Sequence, residues 1–144
     1  MRMPEPDADV LSRRERIVRD LARILPGEGV IADVHALKAY ECDGLTAYRQ
    51  PPMIVVLPEK TEQVAKILRY CYDGGIKVVP RGAGTSLSGG ALPLADGVML
   101  GLAKFNRILE VDYANRCVVA QPGVTNLAIT DAVASAGFYY APDP

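Results

Sequence analysis

Apolar and polar positions alternate along this chain with two clear periods. Over residues 12–25, Ile17, Leu21, Ile24 and Leu25 recur at helical spacing with Val18 beside them, which predicts an amphipathic helix. Pro26-Gly27 stops it. Residues 34–41 predict a short second helix leading into Asp43-Gly44, whereas the Pro- and Asp-rich residues 1–10 are expected to be loose. Pro51-Pro52 then punctuates the chain, and the signals change behind it. Met53-Ile-Val-Val-Leu57 is a continuous apolar run between prolines, the pattern of a buried strand. Thr61 is placed to cap a helix whose apolar face is Val64, Ile67, Leu68, Cys71 and Tyr72, ended by Gly74-Gly75. Lys77–Pro80 reads as a second strand, making a β-α-β unit with a right-handed crossover, and Val98–Leu100 as a third.

The remainder has another character. Ile108–Asp112 and Cys117–Gln121 are apolar runs joined by Tyr113-Ala-Asn-Arg116, which predicts a β-hairpin. Thr125 can cap a last helix with Ile129, Ala132, Val133 and Ala136 on one face, closed by Gly137. The expected fold class is therefore mixed α/β: a small parallel β-α-β layer, then an antiparallel hairpin, with flanking helices. Residues 1–50 form an N-terminal helical appendage and 51–144 the main domain.

Composition narrows the chemistry. The chain has 144 residues, 23% of them charged, with net charge −1, which fits one globular domain and offers no basic face for nucleic acid. Arg13, Arg14, Arg16, Arg19 and Arg23 are interleaved with Glu15 and Asp20, as on a solvated helix face. Cys42, Cys71 and Cys117 form no CxxC, and His35 is the single histidine, so neither a metal site nor a histidine-based triad is expected. The first residues carry no apolar leader and no run is long enough to span a membrane; the expectation is a cytoplasmic protein without direct membrane insertion.

The stretch that carries chemistry is Pro80-Arg-Gly-Ala-Gly-Thr-Ser-Leu-Ser-Gly-Gly90. Its glycines let successive main-chain N–H groups turn inward as an anion-binding nest, and Thr85, Ser86 and Ser88 add hydroxyl donors. It leaves the C-terminal end of a predicted strand, where α/β folds bind ligands. A Rossmann fingerprint fails because Leu87 stands at the third glycine position, and a Walker A loop fails because Gly90 stands where lysine must be. A glycine-rich turn without a ligand is the plain alternative. Arg81 either pairs with a phosphate or caps nearby carbonyls.

Pro80–Gly90 resembles the pyrophosphate loop of the FAD-binding domain shared by the vanillyl-alcohol oxidase/PCMH-type flavoproteins. Pro58-Glu-Lys-Thr-Glu-Gln-Val64 is similar to that family's entry into its first helix, Gln121-Pro-Gly-Val124 to the segment approaching the flavin, and Ala141-Pro-Asp-Pro144 to the start of the next cofactor-lining loop. The resemblance covers about residues 40–144, and jointly these stretches are most similar to the branch of the glycolate oxidase subunit GlcD and D-lactate dehydrogenases. The resemblance implies cofactor-binding roles for Arg81, Gly82, Ala83, Gly84, Thr85, Ser86, Ser88, Gly89 and Gly90, then for Pro122, Gly123 and Val124, and for Pro142 and Asp143. Some relatives carry a histidine in this loop that bonds the flavin covalently; Thr85 occupies that place here, so FAD is expected to be bound non-covalently.

By the same resemblance, 51–144 is the N-terminal part of a PCMH-type FAD-binding domain, with the rest of the flavin site and a substrate-binding cap domain supplied from outside these residues. The implied parent activity is FAD-dependent oxidation of a small 2-hydroxy acid, glycolate or D-lactate in type, to the 2-oxo acid, with partner subunits of a glycolate-oxidase-like complex. No catalytic residue is named within the chain. The 144 residues alone are expected to be inactive and poorly soluble, with weak or no flavin binding. The alternatives are a truncated non-catalytic flavin-binding or assembly subunit and a member of the same fold acting on a sugar nucleotide.

Overall fold

The computed structural model describes residues 3–141. The chain divides into two compact units, with the boundary between Leu102 and Ala103.

The first unit is built on a four-stranded sheet: β1 (Val30–Ile31), β2 (Ile54–Val56), β3 (Lys77–Arg81) and β4 (Gly97–Gly101). The spatial order is β1-β2-β4-β3. β4 pairs in parallel with both β2 and β3, whereas β1 runs antiparallel to β2. The expected β-α-β unit is therefore present in sequence, but its two strands do not touch. Every residue of β4, and every residue of β2 beside it, is buried. Pro80 sits in β3, on the sheet's edge, where a missing N–H leaves no ladder bond unmade.

Strand alternation sorts the core to two faces. Ile54, Val56, Val98 and Leu100 pack with α1 (Ala8–Ser12), α2 (Arg14–Ile24) and α4 (Thr61–Asp73) through Val10, Ile17, Leu21, Ile67 and Cys71. Val55 and Met99 point the other way, against Leu37 of α3 (Val34–Leu37), with Tyr40 and Leu57 beside them. Residues 3–50, within the expected helical appendage, carry α1, α2, α3 and the strand β1 and contribute to both faces of this core.

Three local expectations are corrected. Of residues 1–10, expected to be loose, residues 7–10 are ordered: the Asp7 carboxylate accepts from the N–H groups of Asp9 and Val10, starts α1, and delivers Val10 to the core. Thr61 is the first helical residue of α4 rather than its cap; Gln63 reaches back instead, its Oε1 accepting from Lys60 N–H at 3.1 Å. Leu68 and Tyr72 lie outside the buried stripe of α4 and are 45% and 80% exposed, because Val64, Ile67 and Cys71 already fill the width that the sheet covers.

The second unit holds the antiparallel hairpin β5 (Ile108–Asp112) and β6 (Cys117–Ala120), with a bulge between Ile108 and Glu110. Its turn is held by Asp112, whose Oδ1 accepts from Asn115 N–H at 2.9 Å, and Arg116 takes the left-handed conformation at φ 54°. Thr125 caps α5 (Asn126–Val133) through Ala128 N–H, as expected. Of the predicted α5 face, Val133 is buried and Ile129 half-buried, while Ala132 and Ala136 are exposed; a 3-10 turn, Ala134–Ala136, and Gly137 at φ 80° end the helix. Among the described residues no helix is long and apolar enough to cross a membrane.

Candidate functional site

The glycine-rich loop begins where β3 ends, at the carboxyl edge of the parallel strands. Strand parity decides what Arg81 does. It shares a face with Val79 and the neighbouring Met99, the face that α3 and the following turn cover. Its guanidinium donates to the Tyr40 carbonyl at 2.9 Å and to the Cys42 carbonyl, and touches the Met99 sulfur. Of the two roles open to Arg81 from sequence, its side chain takes the capping of carbonyls.

That placement explains one glycine. A side chain at Gly84 would put Cβ 2.5 Å from the Arg81 Nε, and the residue sits at φ 75°, where side chains are disfavoured. Gly82 is different. Its φ is not in the left-handed region and an added Cβ would meet nothing within 4 Å, so no contact among the described residues requires glycine there. A bare backbone with open space above it is the surface a ligand can approach closely.

The donors match that surface. The N–H groups of Gly82, Ala83, Gly84 and Thr85 have no acceptor among the described residues. Gly82, Ala83, Thr85 and Ser88 are exposed. Ser86 is turned to the loop itself: its Oγ accepts from the N–H groups of Ser88 and Gly90, at 3.4 and 3.2 Å. Four consecutive unsatisfied N–H groups, with hydroxyls beside them and an arginine charge beneath, suit a phosphate or pyrophosphate and offer nothing to a metal cation. FAD fits this chemistry through its pyrophosphate.

Pro122, Gly123 and Val124 belong to the second unit. There Gly123 N–H donates to Phe105 O at 2.7 Å and Val124 N–H to Gln121 O at 3.1 Å, while Gln121 bonds back to Arg107, so the Gln121–Val124 segment is a turn locked to residues 105–107. Pro142 and Asp143 lie outside the described residues. The second unit also carries an open depression of about 710 Å³ lined by Val111, Tyr113, Ile129, Val133, Phe138 and Tyr140 among others; none of the expected cofactor residues among the described ones borders it.

Sequence reasoning missed the partners of the loop. Tyr40 and Cys42 receive Arg81, Leu45 N–H donates to Ser86 O at 3.1 Å, and Gly44 lies against the carbonyls of Thr85 and Ser86. The one visible signal was the turn dipeptide Asp43-Gly44. Lys77, by contrast, is spoken for by Asp96 at 2.6 Å. Burial pushes the Asp96 carboxyl up, but Lys77 and the Asp7 N–H together outweigh it, and its pKa lies below the usual carboxylate value.

A family model described as an FAD binding domain matches residues 52–144. The glycolate oxidase subunit GlcD of Escherichia coli K12 is 48% identical over 139 residues, covering 96% of this chain and 27% of that protein. The mitochondrial D-2-hydroxyglutarate dehydrogenase of Bos taurus is 33% identical over 118 residues, covering 82% of this chain and 22% of that protein. Among solved structures, an alkyldihydroxyacetonephosphate synthase superposes over 100% of the chain and 28% of its own, with a TM-score of 0.78 at 18% identity, a likeness of fold. The chain thus spans about a quarter of the length of the curated relatives it matches.

Proposed function

The chain belongs to the FAD-binding domain family, and from that premise we propose that Arg81–Gly90 holds the pyrophosphate of FAD within an oxidoreductase acting on a small 2-hydroxy acid. The observation that carries the reading is the run of four unsatisfied N–H groups, Gly82 to Thr85, on a loop whose Gly82 has no internal reason to be glycine. The names of the relatives support the substrate class: a glycolate oxidase subunit and a D-2-hydroxyglutarate dehydrogenase both denote a 2-hydroxy acid. The word subunit supports assembly with partner chains.

When bound, FAD would supply the hydride-accepting chemistry that oxidation of a 2-hydroxy acid requires. This chain's residues bind and orient. The amides of Gly82–Thr85 would donate hydrogen bonds to the phosphate oxygens, and Ser86 keeps the loop closed by accepting from Ser88 and Gly90. Pro122, Gly123, Val124, Pro142 and Asp143 line the flavin side in this reading. Thr85 offers no nucleophilic ring nitrogen, so attachment is non-covalent.

The test is a spectral titration of the purified chain with FAD, followed by acid precipitation and by dye reduction with glycolate, D-lactate and D-2-hydroxyglutarate. Expected are a saturable flavin spectrum, all yellow colour released by acid, and dye reduction by a 2-hydroxy acid once the polypeptide carries the remaining length of its relatives. Flavin retained on the precipitate refutes non-covalent binding. A spectrum unchanged at millimolar FAD, in the presence of that remaining length, refutes the loop assignment.

A further inference from the structure

The segment Tyr40–Leu45 precedes the matched span 52–144, yet it touches the phosphate loop at its start, middle and end. At the start, Arg81 donates to the carbonyls of Tyr40 and Cys42. In the middle, Leu45 N–H donates to Ser86 O, and Gly44 lies so close that a Cβ there would stand 2.8 Å from Thr85 O and 2.9 Å from Ser86 O. At the end, the Leu45 side chain lies 3.8 Å from where a Cβ on Gly89 would be. Such spacing leaves the loop one path.

The segment is itself pinned. Asp43 is 5% exposed, and its Oδ1 accepts from Leu45 N–H at 2.9 Å, fixing the amide that also meets Ser86. Its Oδ2 is buried without a partner among the described residues. Behind it, Gln50 N–H donates to Glu41 O at 2.7 Å and Arg49 pairs with Glu41 at 2.8 Å, so 41–50 closes on itself. An unpartnered buried carboxylate oxygen lowers stability, so packing does not account for Asp43; what its carboxylate does provide is the bond that holds the Leu45 amide.

We propose that Tyr40–Leu45 is a brace that sets the binding shape of the phosphate loop, with Asp43 and Gly44 as its positioning residues; the proposal rests on the reading of Arg81–Gly90 as the pyrophosphate site. Gly44 admits the loop carbonyls, Asp43 fixes the Leu45 amide, and Arg81 ties the loop's first residue to the same segment. The four free N–H groups are then presented together before any ligand arrives, so binding loses less to loop ordering.

Two measurements on the whole chain test this, using Gly44→Ala, Asp43→Ala and Asp43→Asn. The first is amide hydrogen exchange by NMR without FAD, with the buried Val55 and Met99 amides as controls for an intact fold. In both alanine variants the Leu45 and Gly90 amides are expected to exchange about tenfold faster, the ratio one ordinary hydrogen bond represents. Asp43→Asn retains an oxygen that accepts from Leu45 and is expected to exchange as the wild type does. The second is FAD titration by quenching of flavin fluorescence: the dissociation constant is expected to rise about tenfold in the alanine variants and to stay within about threefold in Asp43→Asn. Alanine variants that exchange like the wild type, with control amides intact, overturn the brace. Alanine variants that loosen the loop yet bind FAD unchanged overturn its positioning role. A wild type that binds no FAD even when the polypeptide carries the remaining length of its relatives, while exchange behaves as expected, supports the brace and overturns the pyrophosphate reading instead.

Discussion

The two glycines at the head of the loop separate a ligand's demand from the fold's demand. Gly82→Ala places a methyl where nothing lies within 4 Å, on a backbone outside the left-handed region. Such a substitution restricts the unfolded chain and stabilises by about 0.4–1 kcal/mol. For a chain of this size that is a rise of about 2 °C in Tm. The same methyl occupies the approach to the free N–H groups. Forcing a methyl into a filled contact costs about 1–3 kcal/mol, so FAD affinity falls by about tenfold or more. Gly84→Ala behaves oppositely in the fold. Its φ of 75° costs about 1–2 kcal/mol for a side chain. Its Cβ also displaces Arg81 from two carbonyls, each hydrogen bond from a charged donor being worth about 1.5–3 kcal/mol. The assay pairs urea unfolding followed by circular dichroism with FAD titration on the same samples. The expected pattern is Gly82→Ala more stable but weaker in binding, and Gly84→Ala weaker in both. Gly82→Ala with wild-type FAD affinity refutes the argument that open space above Gly82 is where the ligand sits.

Further outcomes follow from the titrating groups. The folded pKa of Asp96 lies below its unfolded value, so its contribution is present above about pH 4 and lost as pH falls through the folded value. Urea midpoints measured from pH 7 to pH 2.5 are expected to fall more steeply for the wild type than for Asp96→Asn over that acid range; equal slopes refute the assignment to Lys77 and Asp7. Burial pushes the Cys71 thiol up to about 11, whereas Cys117 is exposed, so alkylation of the native chain at pH 8 is expected to label Cys117 readily and spare Cys71 until unfolding. Equal labelling of both shows that the α2–α4 face opens in the native state.

What the sequence displayed and what it hid divide along a physical line. β2, β4, the hairpin and helices α2, α4 and α5 each declare themselves through side chains, because a period of 2 or 3.6 in apolar residues is needed to bury one face or two. β1 has only two residues and no room for a period. The placing of β4 between β2 and β3 is a fact of spatial order, which periodicity does not encode. The brace was invisible for a stronger reason. Tyr40, Cys42, Leu45, Thr85 and Ser86 meet through carbonyls and N–H groups that every residue possesses, so residue identity says nothing about the contact; only Gly44, by lacking a side chain, leaves a trace. The same distinction reapportions the loop's glycines, which sequence alone assigned to a ligand as a set. Gly84 answers to Arg81 and to its own φ, whereas a Cβ at Gly82 would meet nothing within 4 Å among the described residues. A glycine that the fold does not need is thus the stronger pointer to the cofactor, and it is the one that no glycine count along the motif could have singled out.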